Sequence, residues 1–148
     1  MLNTVMPDKI EMYWPVIKWS LIESVPPTVG ESEDFLNNIL RSLLDGSMLA
    51  WVAWDWADDE QEKVTLYAVS VTQILREKLS DVKTILIYSI FGFRHIPNEI
   101  WVDAFTTLSK YGLANGCSRV ACYTKNPQIV KLARMFGGQE SSYINFIL

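Results

Sequence analysis

Two cysteines, a single histidine and a scattered set of basic residues leave this sequence short of several kinds of chemistry. Cys117 and Cys122 lie in or beside one apolar run, GCSRVACYT. They read as two reduced thiols of a cytosolic-type protein, not as a disulfide framework. With His95 as the sole histidine, a zinc set would have to draw on several carboxylates, and no ligand spacing of that kind is present. No metal is expected. Thirteen Lys and Arg stand against seventeen Asp and Glu, a net charge of −4. Binding nucleic acid calls for clustered cations to neutralise phosphates, so this balance argues against such a partner. No apolar run approaches the roughly 20 residues of a membrane span. The start, MLNTVMPDKIE, lacks the basic head and apolar stretch of a signal peptide. No Ser-His-Asp order, Walker loop or cysteine-nucleophile pattern occurs.

What is present is a globular composition, with 49% hydrophobic and 20% charged residues in 148 positions. That length fits one domain, residues 1–148, with a core of its own. Six tryptophans stand out, three of them (Trp51, Trp54 and Trp56) within six positions. Rings in such a cluster serve core or interface packing.

Periodicity sets the element order. WPVIKWSLIES, residues 14–24, predicts a short helix with Pro15 in its first turn and Pro26-Pro27 ending it. GESEDFLNNILRSLLDG carries the clearest helix signal, with Phe35, Leu36, Ile39, Leu40, Leu43 and Leu44 at helical spacing. Ser32 is its expected N-cap and Gly46 its C′ residue. MLAWVAWDW and VTLYAVSVTQIL, joined by the polar ADDEQEK, predict an antiparallel hairpin. The acidic run Asp58-Asp59-Glu60 is read as a solvated loop. TILIYSIFGF, residues 84–93, is apolar nearly throughout, which predicts a central strand buried on both faces. A helix follows from Asn98 to Asn115, closed by Gly116, and then a strand in SRVACYT. Asn126 caps a short helix that Pro127 opens and Gly137 closes, and SYINFIL is expected as a final strand. The strand–helix–strand unit from Thr84 to Thr124 requires a right-handed crossover and parallel neighbours. The expected fold is therefore α/β: a mixed, mostly antiparallel sheet with one parallel pair and helices on both faces.

That order, with NPQIVKLARMFGG near the end, resembles the GNAT N-acetyltransferase superfamily. The family commonly shows Asn, then Leu-Tyr six and seven residues on, then Gly-Phe at eleven and twelve. Here Asn126, Leu132 and Gly137 hold three of those places. GCSRVACYT is similar to the family's strand that follows a helix and a small-residue turn. Over its whole length the chain also resembles divergent GNAT-like proteins of tailed phages, in its GESE helix start and its FGFR turn.

The resemblance implies acetyl-CoA as cofactor, with its pyrophosphate held by an Arg/Gln-x-x-Gly-x-Gly/Ala loop at a helix N-terminus. This chain has Arg94-His95-Ile96-Pro97-Asn98-Glu99 there instead. No glycine follows Arg94, Pro97 removes an N–H donor, and Glu99 adds a negative charge. Ala133 stands where the family often has a Tyr that protonates the departing thiolate. Tyr123 and Tyr143 are the candidate replacements. His95 reads as a loop residue, Glu99 as a partner of its helix dipole, and Asp55 as a carboxylate near a strand end. Two losses at two places favour a non-catalytic GNAT-like protein without a cofactor. Its expected role is a phage virion or assembly component in the bacterial host cytoplasm and the particle, contacting other subunits or its own copies. The alternative is a divergent acetyl-CoA-dependent N-acyltransferase acting on an amine. In that case Arg94, Asn98, Glu99 and Asn126 would form the cofactor-binding set, with no catalytic residue assigned.

Overall fold

β-Branched and aromatic residues of alternating burial build a five-stranded sheet, in order β1-β2-β3-β4-β5. The structure is a computed structural model and describes residues 1–24, 33–146 and 148. The strands are β1 (Leu2–Val5), β2 (Met48–Trp56), β3 (Val64–Arg76), β4 (Lys83–Gly92) and β5 (Arg119–Cys122). The helices are α1 (Ile10–Glu23), α2 (Glu33–Asp45), α3 (Asn98–Ala114) and α4 (Pro127–Met135). All neighbours are antiparallel except β4 and β5, which run parallel from Thr84 opposite Arg119 to Ile87 opposite Cys122. The mixed α/β sheet with one parallel pair is as expected from the sequence.

Period-two alternation sends successive residues of β2 to opposite faces. Met48 and Ala50 join Ile17, Leu21, Ile39, Leu43 and Val71 in the core under α1 and α2. Trp51 and Ala53 face α3, in clusters with Ile85, Leu108 and Ile100. In β4 the adjacent residues Ile85 and Leu86 are 0% and 6% exposed, which confirms burial on both faces. Gly46, Gly116 and Gly137 each take a left-handed φ (81°, 76° and 79°) at the helix ends where the sequence places them.

Several expectations are corrected. The first helix begins at Ile10, four residues before Trp14, and contains Pro15 in its interior. Pro15 and Glu11 are both exposed, so the Glu11 carbonyl that loses its helical donor faces solvent. β1, too short for a periodic signal, pairs with β2 and extends the far edge of the sheet. The middle place thereby goes to β3, and β4 lies between β3 and β5. No strand forms among the described residues of SYINFIL. A strand needs a partner edge as well as propensity. Tyr143 instead meets the ring of Tyr123 at 5.7 Å, one residue past the end of β5, and Ile144, Phe146 and Leu148 are exposed. The expected break at Pro26-Pro27 and the Ser32 cap lie outside the described residues. In the hairpin loop, Asp58 Oδ1 accepts from the N–H groups of Glu62 and Lys63, so part of the acidic run shapes the turn. Among the described residues no group of three or more His, Cys, Asp or Glu is placed to hold a metal. Among the described residues no helix is long and apolar enough to cross a membrane.

Candidate functional site

A fork in the sheet makes the site. β4 pairs with β5 over four residues and ends that pairing at Ile87 opposite Cys122. On its other edge β4 carries an irregularity: Ser89 lies opposite Val71 and Ile87 opposite Thr72, leaving Tyr88 as the extra residue. Such a bulge bends a strand and increases its twist. β4 continues to Gly92, whereas the chain after Cys122 departs toward α4. Beyond Ile87 no described strand pairs with that edge of β4, so its main-chain donors and acceptors border an open cleft.

The cleft has a volume of about 570 Å³. Tyr88, Phe91, Gly92, Arg94 and His95 form one wall, and Tyr123, Lys125 and Asn126 the other. Glu23 and Ser24, at the end of α1, reach it from the far face of the sheet. Arg94 and Asn126, thirty-two positions apart in sequence, are thus brought together. Asn98 and Glu99 are not on the cleft wall; they form the exposed first turn of α3. Pro97 is the N-cap of that helix, without a side-chain capping bond. Its carbonyl accepts from Ile100 and Trp101 N–H, and no described residue accepts from Asn98 or Glu99 N–H. The helix start therefore keeps two free donors and a positive dipole end despite Pro97. Asn126 Oδ1 is already used, accepting from Gln128 N–H at 2.9 Å as the cap of α4.

Ala133 is exposed on α4; it lines a cavity that adjoins the cleft and not the cleft itself. Of the two candidate replacements, Tyr123 is on the cleft wall and Tyr143 is not. Tyr88 was not singled out by the sequence, because a bulge in the middle of an apolar run has no local signature. Its ring packs 6.0 Å from Phe35, and burial pushes its phenol up from 10.0. Asp55 does not reach the cleft; its Oδ1 accepts from Trp56 N–H at 2.8 Å. Glu23 was likewise missed, since nothing local links the end of α1 to β4.

Cys122, half-buried at the apex of the fork, has its thiol pushed up from 9.0 by burial. Tyr88 and Tyr111 are raised from 10.0, first of all by burial. A group whose pKa rises on folding stabilises the fold below its unfolded value and loses that contribution as pH climbs through the folded one. Stability in urea is therefore expected to be level from neutrality to about pH 8.5 and to decline above it, the thiol first and the phenols next. Equilibrium unfolding at a series of alkaline pH values checks this.

No protein-family model matches the sequence, and no curated protein matches it. Solved structures do match in three dimensions. Ribosomal-protein-alanine N-acetyltransferase from Brucella melitensis biovar Abortus 2308 aligns over 100% of this chain and 98% of its own, at a TM-score of 0.63 and 12% identity. AAC(6′)-Iy, in complex with the bisubstrate analogue CoA-S-monomethyl-acetylneamine, aligns over 100% and 96% at 0.65 and 13% identity. An aminoglycoside acetyltransferase from an uncultured soil metagenomic sample, in complex with sisomicin, aligns over 100% and 94% at 0.67 and 10% identity. At these identities the likeness is one of fold, and it runs the full length of the chain: this protein has the GNAT acetyltransferase fold.

Proposed function

We propose that the protein is a divergent acyl-CoA-dependent N-acyltransferase that uses the fork between β4 and β5 as its donor site. The fork itself carries this reading: a cleft of about 570 Å³ bordered by an unpaired strand edge, with the cation Arg94 in its wall. An unpaired edge offers a row of main-chain donors and acceptors to an extended ligand, and the pantetheine arm of CoA is a linear chain with two amides. Arg94 supplies charge for the diphosphate, and Asn98 and Glu99 N–H groups add donors at the positive end of α3. The carboxylate of Glu99 weakens that end, so Arg94 carries more of the binding than a glycine-rich loop would require of a single cation. When bound, acetyl-CoA supplies a thioester whose acetyl group passes to an amine nitrogen. The phenol of Tyr123 or Tyr88 on the cleft wall can hold the proton that the departing thiolate takes up.

A second reading rests on Pro97 and Ala133, the two departures from the family pattern, and on the exposed rings of Trp19 and Trp56. It makes the chain a non-catalytic frame acting as a phage virion or assembly component. The fork favours the first reading, because a frame kept for contact alone has no need of an open cleft walled by Arg94 and two phenols.

One measurement separates the two. A ligand at about 100 times its Kd adds about 2.7 kcal/mol of stability, a rise in Tm of about 5–10 °C for a domain of this size. Acetyl-CoA at millimolar concentration is expected to produce that rise. Arg94→Ala is expected to weaken binding about 10- to 100-fold by removing a charge-assisted contact. An unchanged Tm at millimolar concentrations of both acetyl-CoA and a longer-chain acyl-CoA sinks the acyltransferase reading and leaves the frame.

A further inference from the structure

Beside the fork, between the sheet, α3 and α4, lies a second cavity of about 490 Å³. Trp51, Ala53, Ala68, Ala104, Phe105 and Leu108 are among its walls, an apolar surface in which small side chains leave the space. Ile87, Ile90, Ile96, Trp101, Cys122 and Ile129 line this chamber and the cleft alike. The two spaces therefore adjoin at the apex of the fork, where these six residues border both. A chamber of this size is in the range of small-molecule sites. Left unfilled, its walls lack the dispersion contacts that close packing provides.

We infer that the chamber receives the acyl chain of the donor, and that the preferred donor carries a medium-length chain, not acetyl. This rests on the acyltransferase reading of the fork and names its donor class. An acyl group at the fork lies among four isoleucines, Trp101 and Cys122, which also border an apolar volume whose one charged lining residue is Arg119. An acetyl group is too short to use that volume. Each methylene taken out of water into an apolar site tightens binding about three- to fourfold. Octanoyl-CoA has six methylenes beyond the acetyl group, and even partial burial of them gives at least about a tenfold gain.

The test is binding by the full chain, read as Tm shift and calorimetric Kd, with free CoA, acetyl-CoA and octanoyl-CoA. Octanoyl-CoA is expected to bind at least about tenfold more tightly than acetyl-CoA. Ala104→Phe fills the chamber and is expected to erase that preference while acetyl-CoA still binds. Ala104→Leu, a smaller insertion, serves if the phenylalanine variant does not fold. Equal or weaker binding of octanoyl-CoA overturns the chamber while the acyltransferase reading stands. A preference that survives both substitutions also overturns it, since the chain would then lie elsewhere. If neither thioester binds, the reading of the fork falls and the chamber proposal with it. If octanoyl-CoA gains its advantage only after residues 142–148 are removed, the chamber belongs to the chain's own apolar end, and the proposal is again overturned.

Discussion

Trp51→Ala is expected to destabilise the protein by about 3–5 kcal/mol, the range for truncating a large buried ring. Against the roughly 5–15 kcal/mol typical of whole domains, that is a large share of the total. Trp51 is 4% exposed and lies on the α3 face of β2 with Ile85 and Leu108. Its ring stands edge-on to Tyr111 at 5.2 Å, an arrangement worth about 0.5–1.5 kcal/mol beyond area burial. Its Nε1–H donates to Thr72 Oγ1 at 2.7 Å, and Thr72 is 3% exposed. Alanine removes the ring, opens a void next to the chamber and strands the threonine hydroxyl. Thr72→Val breaks the same hydrogen bond from its other end, leaving the indole N–H without an acceptor at about 1–3 kcal/mol. Denaturant titration of the three proteins measures both numbers. A loss below about 1 kcal/mol for Trp51→Ala would mean that the ring is not part of the core.

The same residue shows what the sequence made legible. Three tryptophans in six positions announce packing, and in the folded strand period two separates Trp51 from Trp54 and Trp56. Trp54 is half-buried and Trp56 exposed, and their rings meet edge-on at 5.0 Å. The sequence reading takes the three rings together as packing residues and does not separate them, just as it groups Ile39 and Leu43 with Leu44, which is 41% exposed. The parallel pair followed from chain connectivity alone, because a strand, a helix and another strand leave one right-handed solution. Three of the failures share one cause. β1, the Tyr88 bulge and the missing last strand are matters of which edge pairs with which, and pairing across the sheet leaves no mark on the neighbouring residues. The site shares this limit. Arg94, His95 and Asn126 drew notice through the family pattern, whereas Glu23, Tyr88 and Cys122 reach the fork through register and helix placement.

Cys122 offers the sharpest functional test, because its thiol sits in the wall common to the cleft and the chamber. Modification with N-ethylmaleimide is expected to abolish the Tm rise caused by acetyl-CoA, a loss of affinity of at least about 100-fold, since the adduct occupies the apex where the acyl end must lie. Cys117 is 6% exposed and should not compete for the reagent. The thiolate is the reacting form, and burial holds the Cys122 thiol above 9.0. Labelling should therefore be slow near neutrality and accelerate about tenfold per pH unit until the raised value is reached. Acetyl-CoA should protect the thiol. Cys122→Ser should bind acetyl-CoA as the unmodified protein does and be indifferent to the reagent, which separates the blocked apex from any need for sulfur. A full Tm response after stoichiometric labelling at Cys122 would place the ligand away from the fork. The outcome bears on both proposals at once, because Cys122 lines the cleft and the chamber alike.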